Sequence, residues 1–192
     1  MVTDPPYGVA WKSSTMSNAI KPESHKVAND HNPDVRDESL RLWGDRPAVV
    51  FGSWRVERPK GTKNRLIWHK RSNIPGMRSY AWYSADEEIY ILGKGFGGKP
   101  EQNVLVTDER RDGAYGEVAR LGHPTPKPVG LLERLITKSP DGVIADPFAG
   151  AGSTLVAARN LGRKAIGVEM EEKYCETIAT RLRQQSFDFG GV

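Results

Sequence analysis

Asp4, Pro5, Pro6 and Tyr7 are the residues of this chain whose types most directly suggest chemistry. Each proline holds its φ near about −65° and supplies a carbonyl but no N–H. The residue before a proline is steered out of the helical region. The segment therefore reads as a stiff, extended turn with the Asp4 carboxylate beside the Pro5 carbonyl. Two adjacent acceptors suit a planar –NH2 group, whose nitrogen is a poor nucleophile while its lone pair is delocalised into a ring. Holding both hydrogens pyramidalises that nitrogen and frees the lone pair. The exocyclic amines of adenine and cytosine have this character, and Tyr7 offers a face on which a base can stack. The same four residues also fit an ordinary surface turn, so the reading depends on the rest of the chain.

A second group lies far along the sequence. The apolar run Gly142–Asp146 reads as a strand, followed by Pro147, Phe148, Ala149, Gly150, Ala151, Gly152, Ser153 and Thr154 and a helix from about Ser153 to Leu161. Lys164–Glu169 reads as the next strand, ending in an acid 17 residues after Gly152. Strand, glycine loop, helix, strand and acid is the nucleoside-binding βαβ order: glycines admit the ligand to the backbone, and the acid can bind both ribose hydroxyls. The dinucleotide fingerprint is incomplete, because Leu155 stands where its third glycine belongs. Asp146, directly before the loop, could hold a ligand ammonium group. Upstream, His123–Pro128 leads into a helix marked by Leu131, Leu132, Leu135 and Ile136. There Thr125, Lys127 and the helix N-terminus offer a seat for a carboxylate. A nucleoside bearing both an ammonium and a carboxylate group is S-adenosylmethionine.

The elements that must position these groups are legible by pattern. Ala48–Gly52 is a continuous apolar run, expected as a buried strand of a parallel sheet. Arg65–His69 and Glu88–Leu92 read as two further strands. A helix is expected from about Asp34 to Trp43, with Leu40 and Trp43 on one face, and another from about Glu171 to Arg183. Cys175 is placed on the core side of that last helix. The polar stretch from Val9 towards Trp43 suits either a lid or a plain surface excursion. Positions 95–122, rich in glycine, are expected as a short flexible insertion, and 186–192 as a frayed tail.

Charge narrows the partners. The 192-residue chain is 38% hydrophobic with a net charge of +4, enough for a core and mildly favourable to a polyanion. Between positions 55 and 78 stand eight basic residues against the single acid Glu57. Arg55, Arg58, Lys60, Lys63, Lys70 and Arg71, with Trp54 and Trp68 among them, suit a nucleic-acid backbone and an unstacked base. A solvated cationic face has the same composition. One cysteine supports neither a disulfide framework nor a zinc cluster, His25, His31 and His69 lack ligand spacing, and no apolar run is long enough to span a membrane.

Together these motifs resemble those of the amino-methylating DNA methyltransferases acting on adenine N6 or cytosine N4. Asp4-Pro5-Pro6-Tyr7 resembles their catalytic motif, Asp146–Gly152 their cofactor loop with Glu169 as ribose acid, and His123–Pro128 the segment preceding that loop. The catalytic motif comes first and the cofactor loop last, the permuted order of the beta group. The resemblance implies a single α/β domain, a Rossmann-like S-adenosylmethionine-dependent methyltransferase sheet with helices on both faces. Residues 1–94 would be its catalytic half and 123–185 its cofactor half. It implies S-adenosylmethionine as cofactor, DNA as partner, a cytoplasmic setting in a bacterial or phage-infected cell, and adenine over cytosine because position 4 is Asp rather than Ser.

The chain departs from the family pattern in two places. Only three residues precede Asp4, so either a missing edge strand or a minimal or truncated form is expected; the target-recognition stretch 95–122 is short, which suits slight sequence specificity or a specificity-supplying partner, and a homodimer is a further expectation. An RNA or protein methyltransferase with the same chemistry, a non-catalytic DNA- or cofactor-binding remnant, and a nicotinamide enzyme remain as alternatives. The absence of a Pro-Cys pair argues against a carbon-5 cytosine methyltransferase, which needs a cysteine nucleophile.

Overall fold

The computed structural model describes residues 1–6, 32–71, 85–107, 121–123 and 125–184. Tyr7, Trp11, His25, His31, Arg78, Pro124, the tail 186–192 and most of the expected lid and insertion lie outside these residues.

Val49, Val50 and Phe51 are fully buried because the strand they form, β2 (Ala48–Gly52), is covered on both faces. Burying side chains of this size contributes about 1.5–3 kcal/mol each. β1 (Val2–Thr3) runs parallel to β2, with Val2 opposite Val49. On the other side β2 pairs antiparallel with β4 (Asp86–Leu92), which pairs antiparallel with β3 (Thr62–Lys70). β3 in turn runs parallel to β5 (Val104–Thr107), giving the order β1-β2-β4-β3-β5. The sheet around β2 is therefore mixed rather than all parallel. A continuous apolar run reports burial of both faces, and it carries no information on strand direction. β5 also belongs to the sheet, although it falls within the stretch expected as an insertion.

β6 (Ile144–Asp146) and β7 (Ala165–Gly167) form a parallel pair, and the Thr3 hydroxyl donates to Asp146 Oδ1 at 2.6 Å, bringing the end of β6 beside the end of β1.

Alternation along the strands sorts the core into two layers. Ala48, Val50, Tyr90 and Leu92 meet Leu40 and Trp43 of α1 (Asp34–Trp43). Val49, Phe51, Trp68, Ile89 and Leu105 meet the opposite layer. That layer is built from Leu131, Leu132, Leu135 and Ile136 of α2 (Val129–Lys138) and Ala157 and Ala158 of α3 (Ser153–Asn160). Helices thus cover both faces of the sheet. α4 (Glu172–Arg183) packs beside the glycine loop, and Cys175 on it is exposed, contrary to the expected core position. The inward positions of this helix go instead to Tyr174 and Arg181.

Candidate active site

Strand direction decides which residues meet. β1, β2 and β3 all run the same way, so Asp4, Trp54, Lys70 and Arg71 emerge at or just beyond one edge of the sheet. The antiparallel β4 starts there, delivering Glu87 to the same edge.

Asp4 Oδ2 accepts from the Lys127 ammonium at 2.5 Å, while Asp4 Oδ1 is buried and has no hydrogen-bond partner among the described residues. Lys127, only 7% exposed, also lies 3.3 Å from Glu87 Oε2 and 5.1 Å from the centre of the Phe51 ring. Glu87 Oε1 accepts from Lys70, whose ammonium lies over the Trp68 ring. Carboxylate and ammonium groups therefore alternate from Asp4 through Lys127 and Glu87 to Lys70. Burial pushes the Asp4 carboxyl above its ordinary range, and the Lys127 charge pulls against that rise. Burial pushes Glu87 upward too, but the two lysines outweigh it and hold Glu87 below the usual value.

The glycine loop is built differently. Gly150 (φ 51°) and Gly152 (φ 80°) adopt left-handed backbone that favours glycine. A Cβ on Gly150 would come within 2.8 Å of His123 Nε2, and one on Gly152 within 2.7 Å of an Ile178 side-chain carbon. Asp146 is buried, with Oδ1 accepting from Thr3 and, at 3.2 Å, from the Phe148 amide. Burial pushes its carboxyl up to about 6, despite the Thr3 and Thr154 hydroxyls. Asp146 thus fastens the loop to β1.

Glu169 Oε2 accepts from Gly150 N at 2.8 Å and Oε1 from Glu171 N at 2.9 Å, which leaves lone pairs on both oxygens for a ligand. Buried Arg181 donates to Ala151 O at 2.6 Å and to the Ser153 hydroxyl at 3.3 Å. His123 stands edge-on to Tyr174 with centroids 4.8 Å apart, and its Nδ1 accepts from Thr125 N at 3.3 Å.

The structure gathers the Asp146–Thr154 loop, Glu169 and Thr125 around one place. Lys127, expected at a ligand carboxylate, has its ammonium on Asp4 and Glu87 instead. The basic run divides. Arg55 and Arg71 are exposed at the Asp4 edge, Arg55 with its guanidinium 5.5 Å from the ring of Trp54, which is 65% exposed. Lys60 and Lys63 lie near the start of β3, seven residues or roughly 20 Å from Lys70, at the opposite edge. Arg58 is exposed in the connection between the two edges.

Glu87 and Arg181 were missed by sequence reasoning. Each had a weak signal, an acid opening an apolar strand and a cation on the inner face of an amphipathic helix. Among the described residues there is no group of His, Cys, Asp and Glu side chains arranged for a metal, and no helix long and apolar enough to cross a membrane.

The DNA methylase family model matches residues 56–180. The chain is 30% identical to the putative methylase YubD of Escherichia coli (strain K12), over 95% of this chain and 80% of that protein. It is 43% identical to the type II methyltransferase M.HinfI of Haemophilus influenzae over 63% of this chain, and spans 39% of that longer relative.

Among solved structures, the PvuII DNA methyltransferase (cytosine-N4-specific) superposes with a TM-score of 0.65 at 19% identity, covering 96% of this chain and 79% of that one. The M1.HpyAVI–SAM complex superposes with a TM-score of 0.62 at 20% identity, covering 95% and 87%. Both confirm the Rossmann-like methyltransferase fold. With the permuted motifs, the mixed sheet and these matches in agreement, the chain belongs to the DNA methylase family of adenine-N6 and cytosine-N4 amino-methyltransferases.

Proposed function

We propose that this protein transfers a methyl group from S-adenosylmethionine to the exocyclic amine of a base flipped out of duplex DNA, adenine N6 in preference to cytosine N4. The observation that carries this reading is Asp4 Oδ1, a buried acceptor without a hydrogen-bond partner among the described residues, on the same sheet edge as the glycine loop. Buried polar atoms are seldom left unpaired, and such an orphan fits an absent donor.

The residues present suit the cofactor. The left-handed glycines bring backbone close to a ligand, and Glu169 keeps lone pairs for two ribose hydroxyls. Pro147, Phe148, Ala149, Ser153, Thr154 and Thr125 complete its surroundings, with Asp146 anchoring the loop. When bound, S-adenosylmethionine supplies an electrophilic sulfonium methyl.

Asp4 Oδ1 and the Pro5 carbonyl hold the two amine hydrogens, Pro6 keeps the turn extended, and Tyr7 stacks on the base. Asp4 Oδ1 then receives the proton that the methylated nitrogen sheds, a task suited to a carboxyl raised by burial. Most of the acceleration comes from alignment and preorganised acceptors, and extrusion of the base costs a few kcal/mol. Arg55 and Arg71 meet DNA phosphates and Trp54 meets an unstacked base. The adenine preference follows from the resemblance at Asp4, and the working compartment is the cytoplasm.

The deciding experiment incubates the protein with methyl-labelled S-adenosylmethionine and unmethylated duplex DNA, then analyses the nucleosides. Labelled 6-methyladenine is expected. Labelled 4-methylcytosine would overturn the base preference, and label entering only RNA or protein would overturn the substrate.

A further inference from the structure

We infer that Lys127 and Glu87 are positioning residues for the transfer: Lys127 pins Oδ2 of Asp4 so that Oδ1 alone faces the amine, and Glu87, held by Lys70, fixes Lys127. This role rests on Asp4 being the amine acceptor proposed above.

The geometry is specific. A carboxylate at the end of a short side chain turns about its last torsion, and two free oxygens would present no defined lone pair to a ligand. In this fold one oxygen is taken by an ammonium at 2.5 Å and the other is buried and, among the described residues, without a hydrogen-bond partner. The ammonium cannot drift, because Glu87 Oε2 stands 3.3 Å away and the Phe51 ring lies beneath it. Glu87 in turn is placed by β4, opposite Trp68 in the ladder, and by the Lys70 ammonium on its other oxygen.

Four segments distant in sequence thus converge on one torsion of one side chain. Charge points the same way. Asp4 is surrounded by Lys127, Glu87 and Lys70, with Asp146 close enough for their charges to interact. A half-buried carboxylate without the ammonium that bonds it would take up a proton more readily, and a protonated oxygen is a poorer acceptor for an amine hydrogen.

The test compares Lys127→Met, Glu87→Gln and Asp4→Ala in the full chain. For Lys127→Met, kcat should fall by about 100-fold, the scale of a misaligned catalytic group, with a smaller fall for Glu87→Gln. KM for DNA and the affinity for S-adenosylmethionine should stay within a few-fold of the parent. Adding n-butylammonium to Lys127→Ala should restore part of kcat, whereas n-butanol should not. The Asp4 carboxyl, followed by carbon-13 NMR, should titrate at higher pH in Lys127→Met, a readout that needs no substrate.

Parent-like kcat in Lys127→Met, equal rescue by butanol, or an unmoved Asp4 titration would each overturn the inference, and Glu87→Gln carries the test if Lys127→Met does not fold. Transfer surviving in Asp4→Ala would instead overturn the assignment of Asp4. Loss in Asp4→Ala with parent-like Lys127→Met would overturn the positioning role alone.

Discussion

The Asp4 edge and the glycine loop lie side by side but are built on opposite principles. Around Asp4, charge is concentrated: two acids and two lysines alternate in a half-dry corner, and among the described residues two carboxylate oxygens, Asp4 Oδ1 and Glu87 Oε2, have no hydrogen-bond partner, although the second lies 3.3 Å from the Lys127 ammonium. Around Gly150 and Gly152 the chain satisfies itself. Glu169, Asp146 and Arg181 are all occupied with the loop's backbone or with neighbouring hydroxyls, and the places where Cβ atoms of Gly150 and Gly152 would stand are filled by His123 and Ile178. The first region is organised for reaction, the second for shape. A binding surface can be made from satisfied backbone, whereas catalysis needs a group whose bonding capacity is completed only by the substrate.

The contrast breaks most sharply by exchanging damage between the two regions. Asp4→Ala should lower methyl transfer on the order of 1000-fold or more, leaving S-adenosylmethionine affinity by calorimetry near the parent value. Gly152→Ala should do the reverse. Its Cβ would meet Ile178 in a strained backbone region, so cofactor affinity and thermal stability should fall first, with a destabilisation of about 1–3 kcal/mol. Parallel losses of binding and turnover in both variants would erase the distinction.

A second comparison sharpens the Asp4 edge itself. Arg55→Glu with Arg71→Glu should weaken DNA binding about tenfold and flatten its salt dependence, roughly one unit of slope per lost phosphate contact. Lys60→Glu with Lys63→Glu, the same charge change at the far edge, should leave binding close to that of the parent. Equal effects would mean that the nucleic acid is not confined to the Asp4 edge.

The smallest effect concerns acid. Burial beside the loop lowers the His123 pKa from 6.5 to about 4. The folded state therefore binds fewer protons than the unfolded chain, and the associated stability is present above pH 6.5 and lost as pH falls towards 4. Asp146 acts oppositely: its carboxyl is raised from 3.8 to about 6, so its contribution grows as pH falls through that window. Melting temperatures of the parent and of His123→Asn between pH 7 and about 4 should separate the two. The variant should lose less stability on acidification.

Much of the architecture was legible beforehand. The apolar run 48–52, the stripe Leu131–Ile136 and the strand–loop–helix order after Gly142 all report local periodicity or turn chemistry, and the corresponding elements stand where expected. Cys175 was misplaced because helical periodicity gives a face only to within a residue or so, and Tyr174 took the inner position. The reversal of β4 was invisible because burial is the same for either strand direction.

What the sequence by itself determined is the inventory: an Asp-Pro-Pro turn, two left-handed glycines, an acid after the following strand, and their permuted order. These are properties of neighbouring residues, set by torsional limits and hydrophobic spacing. Only the tertiary structure decided which distant groups meet. Lys127 reads as a loop cation until β1 and the segment before α2 bring its ammonium to Asp4, 123 positions away. Glu87 reads as a strand-end acid until β4 inserts antiparallel between β2 and β3. Ion pairing acts through space at a few ångströms, so it depends on strand order and direction, which no local pattern encodes.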